Sequence, residues 1–229
     1  MKKQKISHHA GCIILEASQT PEFLFNIYDN GYPIKMCHGK LNLLGGGKNS
    51  DDYSPESLVK REINEEFSMA ANDKLDEVLE ANAGKYPLLH IENFAPQEDI
   101  KRIRNAVLEN IKLYGDFLVT FKTKEQGLNF KYPDTIFSIF YSKLPQEIFE
   151  IARINLENGK SLVNDSFLKI ASVDDLTSGK FLTTWATGRV LEELLKTSIP
   201  NPEKTSATRI GMPRKKFIDY LKDFEYHKF

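Results

Sequence analysis

The chain has 229 residues, 41% of them apolar, with 31 basic side chains against 32 acidic ones. That is ample material for one core but little for two large domains, since a domain commonly takes roughly 100–200 residues. The near-cancellation of charge removes any whole-molecule attraction for a polyanion, so nucleic acid is not an expected partner.

The basic start, residues 1–5, is followed by Ser7-His8-His9 and a short apolar strand, without the apolar core of a secretory signal. No apolar run approaches the roughly 18–20 residues that span a bilayer. The two cysteines, Cys12 and Cys37, make no disulfide framework. A soluble cytoplasmic protein, with no membrane partner, is the expectation.

Residues 10–15 read as a buried strand. Residues 23–28, rich in aromatic and β-branched side chains, read as a second one closed by the turn Asp29-Asn30-Gly31. Residues 41–44 make a short apolar approach to Gly45-Gly46-Gly47, read as a glycine loop. Ser54-Pro55 then announces a helix to about Phe67, because serine suits the N-cap and proline the first helical position. Beyond it, 73–83 looks helical, 86–95 irregular, and 97–114 an amphipathic helix through Ile100, Ile103, Val107, Leu108 and Ile111.

Strands are expected at 116–122 and 135–142, a helix from Pro145 to about 156, a strand at 167–173 and a helix at 183–196. Residues 200–207 read as a polar linker before a last helix at 214–224. The organisation predicted is a mixed α/β domain over 1–200, with a helical insertion at 70–115, and a linker and C-terminal helix over 201–229.

Residues 61–66 read Arg-Glu-Ile-Asn-Glu-Glu. On a helix, Glu62, Glu65 and Glu66 share one face, beside an apolar stripe of Leu58, Val59, Ile63 and Phe67. Each like-charge pair costs an isolated helix only roughly 0.2–0.5 kcal/mol, so taken alone the trio reads as an ordinary solvated charge face. The glycines just upstream change the balance. Glycine lets a backbone approach a ligand closely, and hard cations prefer oxygen ligands that they share with phosphates. Together the two features point to a diphosphate and metal site.

This stretch resembles the Nudix hydrolase signature, G-x5-E-x7-R-E-U-x-E-E-x-G-U with U a bulky aliphatic residue. Over 47–69 it matches at Gly47, Arg61, Glu62, Ile63, Glu65 and Glu66, and accepts Met69 at the last apolar place. Tyr53 stands where the family has its first glutamate and Ser68 where it has glycine. The resemblance implies an α/β/α sandwich with a mixed sheet. It implies metal-dependent hydrolysis of a diphosphate linkage in a nucleoside diphosphate joined to another moiety, a small-molecule nucleotide substrate, and Mg²⁺ or Mn²⁺ as cofactor. Glu62, Glu65 and Glu66 would be the metal ligands and, with Arg61 orienting a glutamate, the catalytic group. Gly46, Gly47 and Lys48 would meet the phosphates. Tyr53, Ser68 and the insertion motivate the alternative, a Nudix-fold nucleotide-binding or regulatory module without hydrolysis.

Other signals are weaker. A P-loop is excluded by Asn49 after Gly47-Lys48 and by Asn42 at the first glycine place. His8 and His9, adjacent on a strand, point to opposite faces. Cys37-His38 lacks support as a nucleophile and base, and Trp185 reads as core. Asp116, Glu125, Asp134 and Asp165 lie near predicted loop ends, where any one could supply an extra base. The insertion could cover the site, select substrate or form a homodimer surface.

Overall fold

The computed structural model describes residues 8–27, 38–68, 94–121, 135–163, 166–184, 186–200 and 205–210. Eight strands among these residues form one mixed sheet. Its centre is the parallel pair β1 (His8–Ala17) and β6 (Thr135–Leu144), in register from His8 opposite Thr135 to Ala17 opposite Leu144. β5 (Lys112–Phe121) lies antiparallel on β6, and β8 (Thr205–Ile210) antiparallel on β5.

The other edge of β1 is shared between two strands. Its C-terminal part pairs with β2 (Glu22–Ile27), and its N-terminal part with β4 (Leu44–Gly47). β2 also carries β3 (Leu41–Asn42) and β7 (Phe167–Ser172).

Side chains alternate across the sheet, so successive residues of β1 feed different cores. Ile13, Leu15 and Ala17 pack with α1 (Pro55–Glu66), α2 (Gln97–Glu109) and α3 (Gln146–Glu157). Cys12 and Ile14 pack on the opposite face with α5 (Thr187–Leu195) and with Leu176 of the short α4 (Val173–Thr177). Ile13, Ile14 and Leu15 are wholly buried, the pattern of a central strand covered on both faces. The expected mixed α/β arrangement forms, with a mixed sheet and helices packed on it. Among the described residues, no helix is long and apolar enough to cross a membrane.

Several elements differ from the sequence reading. Gly45-Gly46-Gly47 is not a loop but strand β4, held by the ladder from Ala10–Gly47 to Ile13–Leu44. The helix expected over 97–114 stops at Glu109, and β5 begins at Lys112, because 112–115 pairs with β6 instead of extending the helix. The last described helix starts at Thr187 rather than 183. The preceding residues form strand-like bonds to β3, with the Leu41 N–H donating to the Leu182 carbonyl and the Thr184 N–H to the Leu41 carbonyl. Residues 205–210, partly assigned to a linker, form edge strand β8. The helices expected at 73–83 and 214–224 lie outside the described residues.

Two glycines set how α1 docks. Gly11 and Gly46 are register partners on β1 and β4. A Cβ on Gly11 would lie 2.3 Å from Leu58 Cδ2, and one on Gly46 would lie 2.4 Å from Glu62 Oε2. The helix therefore rests on bare backbone. Gly11→Val should force Leu58 off its seat and destabilise the fold by roughly 1–3 kcal/mol, through overpacking. Thermal unfolding checks this, and an unchanged Tm would contradict the close docking.

Candidate active site

The N-terminus of α1 is defined by its own side chains. The Ser57 N–H donates to Ser54 Oγ, the Ser54 N–H donates back to Ser57 Oγ, and Pro55 occupies the first turn. This reciprocal cap satisfies two backbone donors that a helix start leaves open. At the other end Phe67 caps at φ −93 and the Ser68 N–H reaches the Glu65 carbonyl at 3.3 Å. Neither residue takes a left-handed conformation. Ser68 therefore has no need of the glycine that the signature would place there.

Arg61 is the centre of the charged network on this helix. Its Nε donates to Asp52 Oδ1 at 3.1 Å, and its Nη2 to Asp52 Oδ2 at 3.0 Å and to the Gly47 carbonyl at 2.9 Å. Nη1 reaches Glu65 Oε2 at 2.7 Å, and Nη2 reaches Glu62 Oε1 at 2.7 Å. One planar guanidinium thus ties the loop before α1, the end of β4 and two of the three glutamates together. Its fork of donors suits that task.

The sequence reading missed Asp52. It looked for a carboxylate at residue 53, where Tyr53 is 76% exposed and brings none. The acidic residue one place earlier is 2% exposed and takes the guanidinium. An aspartate adjacent to the missing glutamate was the available signal.

Electrostatics follow from this packing. Burial alone would push Asp52 up. Hydrogen bonds from Arg61 and the Asn49 N–H, with the charges of Arg61 and Lys48, more than offset it and hold the carboxyl below its usual range. Glu62 goes the other way. Burial beneath α1 pushes its carboxyl up, Glu65 and Asp52 add to this, and Arg61 only partly opposes them. Burial would lower Arg61, but Asp52 and Glu62 raise it further, so it stays charged.

Of the residues expected at the site, Arg61, Glu62, Glu65, Gly46 and Gly47 come together. Gly46 underlies the Glu62 carboxylate, and Gly47 gives its carbonyl to Arg61. Glu66 shares the helix and is buried at 7% exposure in the last turn. Lys48 donates from Nζ to the Asn49 carbonyl, within its own loop. Among the described residues, no three His, Cys, Asp or Glu side chains stand where they could jointly hold a metal ion. Arg61 engages Glu62 and Glu65 in their present positions.

The weaker candidates are accounted for where they are described. His9 Nε2 lies 2.9 Å from Ser138 Oγ, and Ser138 donates to Asp116, so Asp116 is engaged within the sheet. Burial first, and then the Lys48 charge, lowers His9 to about 4, which leaves it neutral at pH 7. Cys12 is a buried free thiol, pushed up by burial and by the Glu62 charge. Cys37, Glu125, Asp134, Asp165 and Trp185 lie outside the described residues.

No family model matches the sequence, and no curated protein matches it. Among solved structures, the fold is similar to the crystal structure of a mutT/nudix family protein from Listeria innocua. The TM-score is 0.44 at 16% identity, over 85% of this chain and 100% of that one.

Because Asp52 is held below its usual range, its pairing with Arg61 stabilises the fold above the ordinary carboxylate pKa. That contribution is lost as pH falls through the lowered folded value. Asp52→Asn should cost roughly 1.5–3 kcal/mol at pH 7, the range for a hydrogen bond to a charged group. The gap between wild type and variant should close in acid. Thermal melts at several pH values check this, and a gap independent of pH would contradict it.

Proposed function

We propose that the chain is a divalent-metal-dependent hydrolase of a diphosphate linkage, acting on a nucleoside diphosphate joined to another group. The observation that carries this reading is the seat of Glu62. Its carboxylate lies against bare Gly46, where a Cβ would collide with it, and burial disfavours its charge. A desolvated carboxylate beside other acidic groups is the kind of group that a cation stabilises.

The donor types fit such an ion. Glu62, Glu65 and Glu66 offer only hard oxygen, which suits Mg²⁺ or Mn²⁺ and not a thiol-seeking metal. As placed, the three do not converge on one point, so holding an ion would require Glu62 and Glu65 to turn away from Arg61. When bound, the ion would neutralise the diphosphate, orient it and lower the pKa of a bound water. The rest falls to the chain itself. Asp52 and the Gly47 carbonyl fix the Arg61 plane, and Arg61 in turn positions Glu62 and Glu65. Gly46 and Gly47, without side chains, let phosphate oxygens approach the backbone, and Lys48 adds positive charge beside them.

A second reading has its own support. Arg61 already pairs with both Glu62 and Glu65, and Tyr53 brings no carboxylate. A Nudix-type module that binds a nucleotide without cleaving it would share these features.

Incubation with Mg²⁺ and a panel of nucleoside diphosphate derivatives, followed by phosphorus NMR, separates the two. Hydrolysis should appear with at least one substrate and stop on chelation. Glu65→Gln or Glu66→Gln should lower kcat/KM roughly 100-fold or more while the protein stays folded. Binding without product would favour the module, and neither binding nor product would defeat both readings.

A further inference from the structure

A polar row crosses the sheet at the N-terminal end of β1, on the face that carries α1. Asp116 of β5 is the register partner of Ser138 of β6, and Ser138 lies opposite Gly11 of β1. His9, two residues before Gly11, reaches across to Ser138, its Nε2 lying 2.9 Å from Oγ. Ser138 Oγ also bonds Asp116 Oδ1. On the other side of β1 the Lys48 N–H donates to the His9 carbonyl at 3.0 Å, one residue beyond the ladder to β4. Residues opposite each other in an antiparallel pair project to the same face. Lys48 therefore stands beside the His9 ring, two places on from the Gly46 that underlies Glu62. The row ends next to the carboxylate helix.

The chemistry of these groups fixes where the protons are. A carboxylate only accepts, so Asp116 takes the single hydroxyl proton of Ser138. Ser138 is wholly buried and has no second proton to give. It accepts from His9, whose hydrogen is then on Nε2 and whose electron pair is on Nδ1. The two ring nitrogens point in roughly opposite directions. With Nε2 turned to β6, Nδ1 is turned toward β4, the strand that leads into Lys48. Burial first, and then the Lys48 charge, keeps the ring neutral at pH 7. Lys48 Nζ donates to the Asn49 carbonyl at 2.9 Å, and an ammonium has three donors. An electron pair on the facing edge of the imidazole attracts that cation, whereas an N–H there would repel it. Burial lowers Lys48, with the Asp52 charge opposing, so its surroundings bear on how well its charge is held.

We propose that Asp116, Ser138 and His9 are positioning residues for Lys48: they hold the Nδ1 electron pair toward its ammonium and so steady the cation that meets the substrate's phosphates. This deepens the diphosphate reading, on which it rests for the role of Lys48. Asp116 then orients a buried imidazole and is not an extra base.

Two measurements on the full chain test the row. Long-range ¹H–¹⁵N spectra show the His9 tautomer, its signals being assigned by their loss in His9→Gln. Calorimetric titration with ADP, in EDTA, shows the grip on a diphosphate without metal. Wild type should carry the His9 hydrogen on Nε2. Asp116→Asn should move it toward Nδ1, because an amide can donate to Ser138 and release the hydroxyl to donate to Nε2. ADP should then bind roughly tenfold more weakly. In a Lys48→Met background the same substitution should change ADP affinity less than about twofold, which a merely structural role would not produce. Ser138→Ala should mix the tautomers and weaken ADP in the same Lys48-dependent way, and it decides the matter if Asp116→Asn fails to fold. The proposal is overturned if wild-type His9 carries its hydrogen on Nδ1, if wild type does not bind ADP, or if the loss is as large without Lys48. Coupling between the row and Lys48 without Mg²⁺-dependent cleavage would remove the hydrolase reading alone, and cleavage without that coupling would remove this one alone.

Discussion

A Cβ on Gly11 or Gly46 would stand inside the side chain of Leu58 or Glu62, and the closeness of α1 to the sheet depends on both being absent. Helices usually meet their neighbours through layers of side chains. Here two strands present bare backbone, so Leu58 enters the gap over β1 and Glu62 the gap over β4. The first contact is apolar and wholly buried. The second brings a carboxylate into a place where its charge is poorly solvated. Docking and electrostatics are consequences of the same geometry.

Arg61 offsets part of that cost. Its guanidinium is itself about one-fifth exposed, so its pairs are neither fully screened nor fully desolvated. The pair with buried Asp52 is the structural anchor, since Asp52 is held below its usual range and also takes the Asn49 N–H. The pair with Glu65 reaches a half-exposed partner and contributes less. Glu62 lies between these extremes. The two neighbouring carboxylates shift in opposite directions, Asp52 down under Arg61 and the Asn49 N–H, and Glu62 up under burial.

Much of this was legible in the sequence because it is local. The start of α1 followed from Ser54 and Pro55, and the shared face of Glu62 and Glu65 from helical spacing. The central strands followed from runs such as Ile13-Ile14-Leu15. Long-range pairing was not legible. Gly45 to Gly47 carry the composition of a loop, and only their ladder to β1 makes them a strand. Residues 183–184 were read as helix because the tie of this stretch to Leu41, far away in sequence, is invisible to periodicity. Asp52 was overlooked because the site was sought in fixed register, whereas the guanidinium reaches whichever carboxylate the loop delivers.

The proposed cation site rests on the seat of Glu62 against Gly46. Electron paramagnetic resonance of Mn²⁺, titrated with the α,β-methylene analogue of ADP present, tests it on wild type and on Gly46→Ala. Bound Mn²⁺ is expected in wild type, with an affinity lower by roughly tenfold or more when the added methyl displaces the carboxylate. Absence of bound Mn²⁺ in folded wild type, or equal affinity in the two proteins, would contradict it.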